Sequence, residues 1–146
     1  MQEQPNHWTQ LHSPSLAEIE ALADAIYTAL PSRFTRLCEG VVIRVEDFPE
    51  DELLDAMECE SEYDLLGLFQ GEGITKSPHL AQTGDQPNMI WLYRRPIIDY
   101  WADSENSLTE IVTHVLVHEI GHHFGLSDDD MERIEGGRAE AGESEA

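Results

Sequence analysis

Apolar positions recur with two periods along the chain, and each change of period marks a new element. Leu16, Ile19, Leu22, Ala23, Ile26 and Leu30 repeat at the spacing of one helix face. Ser15 and Glu18 form a capping box ahead of them and Pro31 ends the run, so the pattern predicts a first helix that backs a sheet. Val41 to Val45 (VVIRV) is short and β-branched, a strand. Acidic residues then gather ahead of Leu53, Leu54 and Met57, as at a helix N-terminus, which predicts a short helix. Leu65 to Phe69 (LLGLF) reads as a second strand with a bulge at Gly67, and Met89 to Tyr93 (MIWLY) as a third, closed by Arg94, Arg95 and Pro96. Ser107 and Glu110 make another capping box. From Leu108 to Phe124 the apolar residues spread almost all the way round, the mark of a helix buried in the middle of a domain. Gly121 is expected to let a neighbour approach closely. Ser127 with Asp130 opens a short final helix carrying Met131 and Ile134.

These elements predict an α+β fold, a small mixed sheet of three or four strands with a backing helix and a central helix. One domain is expected over 13–135, between an irregular segment 1–12 and an acidic, disordered tail 136–146. Gly71 to Pro87 is a long polar loop, and loops of that length in a compact domain are often functional, so it is expected to overhang a cleft. His79 within it reads as solvent-exposed.

The central helix carries the chemistry. His118, Glu119 and His122 stand in the spacing H-E-x-x-H, which sets two imidazoles one turn apart on one face with a carboxylate beside them. A rise of about 1.5 Å per residue separates the histidines by roughly 6 Å along the axis, so both can reach one zinc ion at about 2.0 Å. A catalytic zinc needs a third protein ligand and an open position. Gly125 can take the left-handed conformation that ends a helix, and Asp128, three residues on, can swing under the metal as that ligand. His114 lies one turn before His118, but roughly 12 Å of helix separates it from His122, too far for one ion to bind both. It reads as a supporting or packing residue. His123 points about 100 degrees away from His122 and reads as structural or exposed. Asp129 and Asp130 suit the positive N-terminus of the next helix.

The full pattern, H-E-x-x-H-x-x-G-x-x-D, resembles the extended motif of the metzincin zinc peptidases, with Asp128 where a third histidine is usual. In length and in its H-H-F-G-x-x-D-D run the chain is most similar to the small bacterial zincin-like metallopeptidases, minimal single-domain proteins. The resemblance implies a zincin-like fold with His118, His122 and Asp128 as ligands of one Zn2+ per chain and Glu119 as the general base. It also implies a cleft bordered by an edge strand that pairs with an extended peptide, a role a strand ahead of the active-site helix could fill, and the sequence leaves open which strand is that edge. The chain departs from the larger metzincins in having no methionine turn well downstream, since Met131 follows Asp128 by only three residues.

Charge narrows the partners. A net charge of −22 repels phosphate backbones and anionic lipid surfaces, which argues against nucleic-acid and membrane-surface roles and steers basic partners inward. No apolar run approaches the roughly 18 residues of a membrane helix, and the opening MQEQPNHWTQ has no apolar h-region, so a cytoplasmic location is expected. Cys38 and Cys59 fit reduced thiols there. Arg94 and Arg95 read as structural partners of local acids, ahead of a role at a substrate carboxylate or oxyanion, and Tyr100 as a weak oxyanion candidate. The expected activity is zinc-dependent hydrolysis of a peptide or protein substrate by a monomer. The metal polarises the carbonyl and acidifies water, and Glu119 moves the proton to the leaving amine. The alternative is a non-catalytic, metal-stabilised protein whose acidic surface recruits a basic partner.

Overall fold

Three short runs of β-branched and aromatic residues make the sheet. A computed structural model describes residues 11–38, 40–71 and 88–144, with side chains of the last helix described as far as 136. Strands β1 (Val42–Glu46), β2 (Gly67–Gln70) and β3 (Met89–Tyr93) form one mixed sheet in the order β1-β3-β2. β1 runs parallel to β3 with Ile43 opposite Ile90, and β2 runs antiparallel to it with Gly67 opposite Leu92. The fold is α+β, as the pattern predicts. β3 lies in the centre of the sheet, so among the described residues the sheet's edges are β1 and β2, and β2 is the edge beside the main helix.

Alternate residues of a strand share a face, so the register gathers Ile43, Phe69, Ile90 and Leu92 with Gly67 on one side. Ile90 and Leu92 are fully buried. Two helices cover this face: α1 (Leu16–Ala29), through Ile19, Ala23 and Ile26, and the main helix. Between them in the chain come α2 (Ser32–Thr35), α3 (Asp51–Ala56) and α4 (Arg94–Ala102), followed by the main helix α5 (Leu108–His123) and the last helix α6 (Asp128–Ser144).

α4 is an element the pattern does not announce. β3 passes into it at Tyr93, and Pro96 falls in the first turn, where a missing N–H costs no helical bond. Arg94 fixes this junction: its guanidinium donates to Asp47 Oδ1 at 3.0 Å, to the Pro14 carbonyl at 2.6 Å and to Ser13 Oγ at 3.1 Å. Arg95 lies over the Phe48 ring at 5.5 Å. Arg94 thus pairs with a local acid as expected, whereas the exposed Arg95 packs on an aromatic ring.

Two glycines set how closely α5 is held. Gly67 sits in regular register rather than at a bulge, and a Cβ there would lie 2.7 Å from Val115 Cγ1 and 3.1 Å from the Trp91 carbonyl. Its missing side chain is what lets β2 lie against α5. A Cβ on Gly121 would meet Met131 of α6, 2.8 Å from Cγ, and Met131 is fully buried. Between these helices Gly125 takes φ 79°, with Leu126 N–H donating to the Gly121 carbonyl at 2.8 Å and Gly125 N–H to the His122 carbonyl at 3.2 Å. That pair of bonds is the Schellman stop, and it turns the chain back along α5.

The irregular start through Gln10, His79 and nearly all of the long loop lie outside the described residues. The last helix is longer than the short one the pattern predicts: α6 continues as helix to Ser144, past Gly136 where a disordered tail is expected, because the small and acidic residues there include no proline to stop it. No helix of the described residues is long and apolar enough to cross a membrane.

Candidate metal centre

α5 is buried on every side but one. Ile111, Val112, Thr113, Val115, Leu116, Val117, Ile120 and Gly121 are all buried, and the exposed residues of the helix, Glu110, His114 and His122, fall on one stripe at every fourth position together with the half-buried His118. Helical spacing stacks these side chains along one line. The ring centroids of His114 and His118 are 3.9 Å apart and those of His118 and His122 5.6 Å. The two histidines of the H-E-x-x-H motif therefore stand side by side, with a third imidazole one turn earlier.

α6 brings carboxylates to this stripe. Ser127 caps it in the way the sequence predicts, Asp130 N–H donating to Ser127 Oγ at 3.0 Å and Ser127 N–H to the Asp130 carboxylate at 3.3 Å. Asp128 is then the first residue of the helix, exposed, and close enough to His118 to favour its charged form. Because the Schellman turn reverses the chain, α6 returns along α5, and Met131 seated on Gly121 carries Glu135 to the stripe one turn later. Glu135 Oε2 lies 3.3 Å from both His114 Nδ1 and His118 Nε2. Among the described residues, His114, His118 and Glu135 are the three whose potential ligand atoms lie within 4.8 Å of one another.

Sequence reasoning passes over Glu135. The signal is present in the pairing of Gly121 with Met131: moving three or four residues toward the C-terminus of α6 matches moving the same number toward the N-terminus of α5, which sets Glu135 opposite His118.

Glu119 faces away from the stripe, toward β2. Leu66 accepts the Tyr93 N–H at 3.0 Å, so alternate residues from Leu66 bond β3 and Phe69 is turned outward. The Phe69 backbone N–H donates to the Glu119 carboxylate. Burial pushes the Glu119 carboxyl above the usual range, while that hydrogen bond and His122 pull it back. Burial, with His114 and then His122, holds His118 below the usual imidazole range against the pull of Glu135 and Asp128. A neutral imidazole is the form that binds a metal. With carboxylates from α6 beside it, the stripe offers the nitrogen and oxygen donors that zinc takes, so the residues present fit such an ion.

His123 is not part of the group. Its ring packs on Phe69 at 4.1 Å and on Phe124 at 5.2 Å, and its buried Nε2 has no hydrogen-bond partner among the described residues. A cleft of about 550 Å³, with Leu66, Ile111, Val115 and the exposed Tyr100 on its walls, runs up to His114 and Glu135.

The profile of a family described as Zincin-like metallopeptidase matches residues 38–138. Among solved structures, the chain is similar to a conserved hypothetical protein from Thermo thermophilus, at 22% identity over 70% of this chain and 87% of that one, with a TM-score of 0.47. No protein of curated function matches it.

Proposed function

Because the chain belongs to the zincin-like metallopeptidase family, we propose that it is a zinc-dependent peptidase in which His118, His122 and Asp128 hold one ion and Glu119 is the general base. The observation that carries this reading is the placement of Glu119 between the histidine stripe and the sheet border, with its carboxylate on the outward-turned Phe69 N–H. A structural metal site has no use for a partly buried carboxylate aimed at a strand edge.

An extended peptide adds to β2 through the outward-turned main-chain groups of Gly67 and the Phe69 carbonyl, while the Phe69 N–H holds Glu119 beside the scissile bond. Zinc held by His118, His122 and Asp128 would supply Lewis-acid polarisation of the carbonyl and would acidify a water toward a pKa of about 7. Glu119 takes the proton from the attacking water at its carboxylate and delivers it to the leaving nitrogen. Residues 13–135 make up the catalytic unit, which works as a monomer on peptide or protein substrates.

Elemental analysis of chain purified without a metal-binding tag tests the ligand set. One zinc per chain in the wild type, lost or sharply weakened in His118→Ala and in Asp128→Ala, is the expected result. A wild type that takes up no zinc when resupplied would overturn the reading.

A further inference from the structure

The contact of Glu135 with two histidines has a geometry that an ion pair does not explain. A charge-assisted N–H···O bond closes to about 2.7–2.9 Å. Here one carboxylate oxygen is 3.3 Å from a nitrogen of each of two rings, and the other is 3.4 Å from His114 Nδ1. Two donors each about 2.0–2.1 Å from one tetrahedral ion stand roughly 3.3–3.4 Å apart. The two separations from the Glu135 oxygen match that spacing, and the three potential ligand atoms all lie within 4.8 Å of one another.

We infer that His114 Nδ1, His118 Nε2 and the Glu135 carboxylate form a second seat for a divalent transition ion of the zinc class, overlapping the proposed catalytic set through His118. The inference rests on the reading of His118 as a metal ligand. Two imidazoles and one carboxylate are a donor set that zinc accepts, and the side chains of His118 and Glu135 are about a quarter exposed, shielded enough to limit competition from water. The cleft ending at His114 and Glu135 gives an ion access to the pair from solution. A net charge of −22 raises the local concentration of any divalent cation.

Sharing His118 has a consequence. His114 lies one turn from His118 on the side opposite His122, so the second seat is displaced by about 6 Å along α5 from the catalytic one. The two seats are alternatives for a single ion, and an ion in the second leaves His122 and Asp128 without it. Zinc in that position is stored rather than catalytic.

Competition for zinc against a chromogenic chelator, run on the whole chain, tests this. Wild type is expected to bind one equivalent. The double variant His122→Ala, Asp128→Asn binds zinc far more weakly than wild type but keeps one equivalent at the second seat, and adding Glu135→Gln weakens that remaining binding by a further factor of about 10–100, the loss that removing a supporting partner costs a metal site. His114, His122 and Asp128 are exposed, and circular dichroism checks that each variant is folded. As an independent readout, Co2+ added to the double variant shifts the imidazole proton resonances of His114 and His118 together.

If the wild type binds zinc and the double variant does not, the second seat is absent and the catalytic set stands alone. Loss of binding in His114→Ala, Glu135→Gln, with the other double variant unchanged, would support the second seat and remove Asp128 from the ligand set. A wild type that binds no zinc overturns both readings.

Discussion

At the scale of single residues, environment sets what a side chain can do, and Tyr93 gives a case that can be measured apart from the metal. Its side chain is 3% exposed, and burial, then Glu46, Glu50 and Glu119, push its phenol up from 10.0 to about 12. The folded state thus resists ionising it. Below about pH 10 neither state is ionised and its full contribution is present. Between pH 10 and 12 the unfolded chain releases the proton while the folded chain keeps it, and stability falls. The urea midpoint of the wild type should therefore drop across that window, and Tyr93→Phe should flatten part of the drop and remove the last step of the phenolate absorbance titration. An unchanged titration curve would contradict the assignment. His118, Glu119 and His122 could be read directly from the sequence, because their relation is one turn of one helix. Glu135 could not, because its contacts with His114 and His118 span 21 and 17 residues and exist only after two helices fold back on each other.

At the scale of elements, the caps and periods of α1 and α5 were legible because they are local, and Ser15 and Ser107 cap where the pattern places them. α4 was hidden: Arg94, Arg95 and Pro96 read as the end of a strand, and only Arg94 holding Ser13, Pro14 and Asp47 turns that end into a helix start. Gly67 reads as a bulge because a glycine in a strand pattern signals either a bulge or a close approach, and which one applies depends on Val115, 48 residues away. Its role predicts a cost. Gly67→Ala sets a Cβ against a β-branched side chain and a backbone carbonyl, neither of which can swing aside, and should destabilise the fold by about 1–3 kcal/mol in urea unfolding. A neutral substitution would show that the strand and helix are not held as closely as described.

For the whole molecule, the proposed peptidase reading makes the acidic excess and the sheet border act on the same event, the arrival of a substrate. Thirty acidic residues against eight basic ones give a field that attracts a cationic peptide from a distance and is screened within about 10 Å at 0.1 M salt. The value of kcat/KM for a lysine-rich peptide should therefore fall as salt rises from low to physiological strength, and that for an acidic peptide should rise or hold. Equal salt dependence would mean that the charge serves solubility alone. Composition made this charge legible, whereas the side from which a peptide approaches β2 depends on the strand order, which no local pattern encodes. The most direct test of the account is to compare the zinc-loaded wild type with Glu119→Gln on a mixed peptide library, reading cleavage by mass spectrometry and zinc content on the same samples. The account predicts cleavage by the wild type, a loss of about 10²–10⁴-fold in Glu119→Gln, and equal zinc in both. Equal cleavage by the two proteins, or none by a zinc-loaded wild type, would contradict it.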